Sequence, residues 1–479
     1  MLATPSSRIA PVFQQQLPVD LPELVVQRVV AEEKSSRSGR RTDPRKFSFG
    51  LLPLLCPAQL VDKVLAECGR QEKRCRLLPA RLTVYALLLM CLQADLSYAK
   101  LMQRLACLAP GRSWRAPDRS AFVGARKRLG WEVMAALFGA LARPLGRRER
   151  DECCFWRGYR VMAVDGTTMA LPRNPELESA FGGQRGHGRS GHRVGPPRLR
   201  LVALVECGAR ALLDVAFGHY DTGENTLTQT LVRSLEPGML VLADRGFASK
   251  PLWEACLGTG ADLLWRAKRR IGRRRLQLLP DGTYLVAFGT GKPVTVRVIE
   301  YQVLGSRQVY RLLTSLLNPA TAPALHLAQL YTQRWEIETV TRELKVGQCE
   351  DGSLRSHSEL GVRQELWSTC LAHVLIRKFA FQVAQAAPDT DPDRISFSLV
   401  QNAISDSVGR LLTNSRLFLL KACQALLDQL GAVRNLNLNR LRSCPRARHP
   451  ASSRYPHPAR SHPTSPAPKL PAEIVLFQP

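Results

Sequence analysis

The chain has 479 residues, with 68 Lys and Arg against 40 Asp and Glu, and so a formal charge of +28. That length allows about three domains of roughly 150 residues each, and 45% hydrophobic with 23% charged residues is ordinary globular usage, which excludes wholesale disorder. No run approaches the ~18 uninterrupted apolar residues of a membrane span, and the opening MLATPSSRIAPVFQQQ lacks the apolar segment of a secretory signal, so a soluble cytosolic protein with a polyanionic partner is expected.

Residues 1–47 mix short apolar patches with SSRSGRRTDPRK and show no periodicity, which reads as a flexible basic arm. Residues 48–148 turn helical: Leu60, Val61, Val64 and Leu65 recur at three-to-four spacing, as do Leu101, Leu105 and Leu108. Asp118, ahead of RSAFVGARKRLG, has the character of a helix cap. An all-α bundle of about five helices is expected there.

From 149 the pattern becomes mixed α/β. Strands are expected over Tyr159–Leu171, Leu199–Cys207, Ala211–Gly218, Met239–Ala243 and Ala261–Trp265, with helices over Thr226–Leu235 and Ser249–Cys256. A Gly- and Arg-rich loop, Gly182 to Arg200, separates the first two strands. Residues 266–322 break the alternation with further β segments, Tyr284–Phe288, Val294–Val303 and Gln308–Leu316, a β-rich insertion that opens on the basic run WRAKRRIGRRR at Trp265–Arg275. Helical periodicity returns over 323–430. The stretch 431–479 holds nine prolines between Pro445 and Pro479 and reads as a basic, disordered tail. The 13 cysteines are scattered with no C-x-x-C pair, which suits reduced, buried thiols better than structural zinc.

Two apolar strands end in aspartate: VMAVDG at Asp165 and MLVLADRG at Asp244. The carboxyl end of a strand delivers its side chain to the rim of an open α/β sheet, where ligands bind. One such aspartate often only caps a turn; two on neighbouring strands repel each other unless a cation lies between them. A third carboxylate comes from LYTQRWEIETVTRELKVGQ. On a uniform helix of ~100° per residue, Tyr331, Arg334, Glu338 and Lys345 share one narrow stripe, Leu330, Ile337, Val340 and Leu344 form the core stripe, and Glu336 and Glu343 point elsewhere. An ordinary i,i+4 pair of Arg334 with Glu338 on a solvated face accounts for part of this, but not for the two strand-end aspartates. Asp165, Asp244 and Glu338 make an all-oxygen set suited to Mg²⁺ or Mn²⁺, and two ions about 3.5–4 Å apart serve phosphodiester transfer. Arg334 and Lys345 would grip backbone phosphates, with Tyr331 donating a hydrogen bond to one.

The spacing Y-x2-R-x3-E-x6-K, met by Tyr331, Arg334, Glu338 and Lys345, resembles the signature of the insertion sequence four family of DDE transposases. VMAVDGTTMALP, PGMLVLADRGF, LLTSL and LRSHSELGVRQELW resemble that family too, and RLLPARLTVYALLLMCLQADLSYAKLMQRL resembles its N-terminal domain, so the likeness runs over about residues 48 to 430. It implies a ribonuclease H-like catalytic domain, with Asp165 on its first strand, Asp244 after its fourth and Glu338 on the helix beyond the insertion. The implied activity is metal-dependent cleavage at transposon terminal inverted repeats and strand transfer into target DNA, with two Mg²⁺ or Mn²⁺ ions per site, double-stranded DNA as partner, a homodimer in the synaptic complex, and a bacterial, nucleoid-associated location. Arg245, beside Asp244, and Trp335 are further DNA-contacting expectations; Trp335 would hold a flipped base or simply pack as an aromatic. The basic runs would lie along DNA and give affinity rather than sequence reading. Two rivals stand beside this: a catalytically silent DNA-binding relative, and a ribonuclease H-like structure-specific nuclease. No phosphate loop, G-x-S-x-G or H-E-x-x-H is present.

Overall fold

The computed structural model of the chain describes residues 47–72, 74, 76–109, 114, 116–184, 195–267, 275–303, 309–349, 352–387, 390–410, 416–432 and 474–476. The basic arm, the middle of both arginine-rich loops and most of the C-terminal tail lie outside the described residues.

Among the described residues of the N-terminal region, six helices follow one another: α1 (Leu52–Leu55), α2 (Ala58–Glu67), α3 (Ala80–Leu92), α4 (Tyr98–Leu108), α5 (Arg119–Leu129) and α6 (Glu132–Leu141). The one beyond the expected five is the single turn α1. The spacing reading holds residue by residue, since α2 buries Val61, Val64 and Leu65 and α4 buries Leu101, Leu105 and Leu108. Asp118 caps α5 by accepting from the Ala121 amide at 2.8 Å, a bond that holds its carboxyl below the usual range. α3 is apolar on nearly every side and is buried accordingly.

The sheet then begins with β1 (Phe155–Trp156) and the long β2 (Tyr159–Ala170). After α7 (Pro175–Phe181), which the sequence reading missed, come β3 (Arg198–Glu206), β4 (Ala211–His219), α8 (Glu224–Leu231), β5 (Met239–Ala243), α9 (Lys250–Leu257) and β6 (Asp262–Arg266). β2, β3 and β4 pair antiparallel, whereas β5 and β6 run parallel to β2 in the order β4-β3-β2-β5-β6. Three antiparallel strands followed by two parallel ones, with a helix before each of the latter, is the ribonuclease H-like arrangement. β5 is buried along its whole length, as a central parallel strand must be.

The insertion extends this sheet instead of forming a body of its own. β7 (Arg275–Leu278), β8 (Tyr284–Phe288), β9 (Val294–Val303) and β10 (Val309–Thr314) continue it, with β10 antiparallel to β6. β9 pairs with β8 along its first half, and its second half takes a strand from the tail, β11 (Ile474–Leu476). This corrects the expectation of a disordered 431–479 at those three residues: Ile474 and Leu476 pack on the core while the ladder satisfies their backbone.

Helices resume with α10 (Ala324–Leu330) and α11 (Glu336–Arg342), then the 28-residue α12 (Glu359–Ala386), α13 (Phe397–Arg410) and α14 (Arg416–Ala432). α12 packs on β4 on one side and on α3 and α6 on the other. The N-terminal helices therefore share one hydrophobic core with the sheet face that carries Val161 and Ala163, while Met162 and Val164 point into a second core under α8 and α9. No helix among the described residues is long and apolar enough to cross a membrane.

Candidate active site

The parallel pairing of β2 with β5 sets Val164 opposite Ala243, so Asp165 and Asp244 leave adjacent strands at the same level. Asp165 follows Ala163 on the face toward α11. Asp244 opens the turn Asp244-Arg245-Gly246, closed by the Phe247 amide on the Asp244 carbonyl at 3.1 Å.

The segment bearing the third carboxylate is not one uniform helix. Tyr331–Trp335 is a 3₁₀ turn, Glu336–Arg342 is α-helical, and Glu343–Gly347 is a π turn. Each change re-aims the residues that follow, and π turns gather at functional sites. Glu338 and Arg334 still meet, one turn apart. The Arg334 guanidinium bridges Asp165 at 3.1 Å and Glu338 at 3.4 Å, so one cation draws together a strand carboxylate and a helix carboxylate. Burial pushes the Asp165 carboxyl up; Arg334 and the Gly166 amide oppose that, and the charges of Glu338 and Asp244 add to it. Both of the other acids therefore act on Asp165.

Arg334 itself is buried, its Nε has no hydrogen-bond partner, and its guanidinium lies 4.7 Å from the centroid of the half-buried Trp335 ring. In this arrangement its guanidinium is engaged by the two carboxylates. The buried hydroxyl of Tyr331 donates to the Ala243 carbonyl at 3.1 Å, which ties the 3₁₀ turn to the end of β5 just before Asp244. Burial pushes this phenol up, away from ionisation. Lys345 is half-buried, and its Nζ meets the Thr167 hydroxyl at 2.5 Å, two residues along β2 from Asp165. Burial, then the charge of Arg198, pushes its ammonium down. Arg245 is exposed at the tip of its turn.

Three features of the site escaped the sequence reading. Arg266 ends β6, stacks 4.8 Å over Tyr310 and stands 4.0 Å from Asp244. Its signal was available, because LLWR and VLAD close neighbouring parallel strands at one rim. Glu224, held by Arg200 at 2.8 Å, lies above Gly166, where a Cβ would meet its carboxylate at 2.6 Å. Glu343, which the uniform wheel placed away from the basic pair, is buried against Arg377 and His373 of α12. Burial alone would raise its carboxyl; Arg377 and His373 overcome this and hold it at about 2. Burial pushes the His373 imidazole down against the opposing pull of Glu343; its Nε2 lies 3.0 Å from Glu343 and its Nδ1 has no partner. No residue at Glu343's own end of the chain signals this network.

Asp165, Asp244 and Glu338 are hard oxygen donors converging from two strands and a helix, the residue type that Mg²⁺ and Mn²⁺ take. Guanidinium groups stand at all three, which shows where positive charge is drawn. As placed here, no three His, Cys, Asp or Glu among the described residues are close enough to hold one ion. The donor set fits the metal in chemistry, with Arg334 as the cation between two of its members.

Residues 46–139 match the family model described as insertion element 4 transposase N-terminal, and residues 156–375 match the transposase DDE domain. The transposase InsG for insertion sequence element IS4 of Escherichia coli is 30% identical over 355 residues, covering 71% of this chain and 78% of InsG. InsZ of the same organism is 28% identical over 149 residues, 31% of this chain and 48% of InsZ. A solved piggyBac transposase synaptic complex with hairpin DNA aligns at a TM-score of 0.42 and 12% identity, over 81% of this chain and 88% of that one.

Proposed function

This chain belongs to the insertion element 4 family of DDE transposases, and from that premise we propose that it cuts DNA at the terminal inverted repeats of its element and joins the freed ends to target DNA, with Asp165, Asp244 and Glu338 as the catalytic carboxylates. DNA transposition is the family's activity; the residue roles, the metal and the assembly are our reading. The observation that carries it is the convergence of Asp165 and Glu338 on the Arg334 guanidinium, with Asp244 level with Asp165 on the adjoining strand.

Asp165, Asp244 and Glu338 would hold two Mg²⁺ or Mn²⁺ ions. Such ions supply an activated attacking oxygen and charge neutralisation at the leaving one. The protein's part is to hold those carboxylates and to keep positive charge around the phosphodiester. Tyr331 fixes the approach of the 3₁₀ turn to β5, and the π turn aims Lys345 at Thr167, beside Asp165, where an ammonium favours a DNA phosphate. Arg245, exposed next to Asp244, is a second phosphate contact. Joining two ends requires both in one complex, so we propose a homodimer on paired ends. The location that follows is the bacterial cytoplasm, on the nucleoid.

The test is supercoiled donor DNA carrying the element's ends, incubated with Mg²⁺. End cleavage and strand transfer by the intact chain, lost in Asp165→Asn, Asp244→Asn and Glu338→Gln while DNA binding persists, is the expected result. Cleavage that survives these substitutions sinks the assignment of the carboxylates.

A further inference from the structure

A cavity of about 590 Å³ opens where α4 and α5 of the N-terminal helices meet the start of α12, a volume in the range of small-ligand sites. Its lining includes Arg119, Arg126, Lys127, Arg355 and His357, and not one Asp or Glu. Of the four arginine and lysine side chains, two are committed to structure. Buried Arg126 donates to Gln364 at 2.8 Å, Ser356 at 3.0 Å and the Gly361 carbonyl at 3.1 Å, and Arg355 donates to the carbonyls of Ala94 and Leu96 at 3.0 and 3.1 Å. Arg126's partners are neutral, so its charge still acts on the cavity. Arg119 and Lys127 are exposed at the mouth. Besides the neutral polar side chains of Ser97, Ser356, Ser358 and Gln364, the lining is apolar and aromatic, with Leu96, Val123, Tyr98, Trp131 and, at the lip, Leu360, which is 66% exposed. An exposed leucine beside an apolar hollow ringed by cations asks for a ligand with a flat apolar part and an anionic part.

The cavity is tied to the strand that carries Asp165. Ser353 bridges Ala170 at the end of β2, the Leu354 amide donates to the Ala170 carbonyl at 3.1 Å, and Asn174 holds the His357 carbonyl at 2.7 Å. Ala170 stands about 17 Å along the strand from Asp165, equal to about five base steps of duplex.

We propose that this cavity takes an unpaired nucleotide of the bound DNA, with the base against Leu96, Val123 and Trp131 and the phosphate toward Arg119 and Lys127. The proposal rests on the transposase reading, which makes DNA the polyanion in question. It gives the junction between the N-terminal helices and the catalytic sheet a direct role: a nucleotide seated there touches α4, α5 and α12 together, so DNA engagement and the placement of the site are physically joined.

The full chain is titrated with two fluorescein-labelled duplexes of one sequence, one fully paired and one with a single unpaired 2-aminopurine. The expected result is about a tenfold preference for the second, the size of one base–aromatic contact, with its 2-aminopurine emission quenched on binding. Leu360→Ser, on an exposed residue, and Val123→Trp, which fills the hollow, abolish the preference but leave affinity for the paired duplex unchanged. Trp131→Leu removes the quench. Equal binding of both duplexes by the intact chain, or a preference that survives both Leu360→Ser and Val123→Trp, overturns the cavity assignment and leaves the transposase reading standing. Binding to neither duplex overturns both.

Discussion

Glu343→Gln tests whether a buried charge pair behind the helix supports the site. Glu343 is 9% exposed and Arg377 is 1% exposed, so the substitution leaves a guanidinium in the interior without its counter-charge. A carboxyl held at about 2 against a usual 4.5 corresponds, at 1.36 kcal/mol per pH unit, to about 3 kcal/mol of stabilisation. That agrees with the ~3–5 kcal/mol typical of removing one partner of a buried pair. Because the folded carboxyl titrates below the unfolded one, this stability is fully present above pH 4.5 and is lost as pH falls toward 2. The assay is urea unfolding at neutral pH, followed by the double variant Glu343→Leu with Arg377→Met, which removes both charges and should recover most of the loss. A Glu343→Gln loss below about 1 kcal/mol, or a double variant no better than the single one, would refute the reasoning. Since Glu343 opens the π turn that carries Lys345, end cleavage should also fall in Glu343→Gln under conditions where the chain remains folded.

Three further outcomes follow from the same contacts. Gly166→Ala forces a Cβ against the Glu224 carboxylate and should cost about 1–3 kcal/mol together with end cleavage; adding Glu224→Ala should restore thermal stability, and failure to do so means the contact is not the cause. Lys345→Ala should weaken complexes with transposon ends and lower strand transfer together, because its ammonium is the one aimed at Thr167 beside Asp165; unaltered strand transfer removes it from the site. Ile474→Asp with Leu476→Asp should release the tail strand from β9, seen as faster amide hydrogen exchange at residues 301–303, and unchanged exchange would mean that the strand does not protect that edge.

Much of the candidate site was legible locally. Apolar strand runs ending in Asp165 and Asp244, and a helix with Arg334 and Glu338 one turn apart, are patterns set by strand and helix periodicity alone. The single-wheel picture failed just where periodicity stops being uniform. The 3₁₀ and π turns on either side of α11 arise from what the segment packs against: Tyr331 bonds to the end of β5, and Glu343 is drawn into α12 by Arg377. Neither partner is near in sequence, so no local rule announces it.

By itself, then, the sequence determined most of the main strands and helices, their apolar faces and the three candidate carboxylates, because these follow from residue type and spacing along one chain. Tertiary structure decided the rest. It made Arg334 a bridge between acids, buried the Tyr331 hydroxyl, brought Arg266 to Asp244, drew three tail residues onto β9, and fused the N-terminal helices with the catalytic core around α12. In the first four cases charged groups and backbone or hydroxyl hydrogen-bonding groups find partners wherever the fold supplies them, and in the fifth apolar faces bury one another. The partners in each case come from elements distant in the chain.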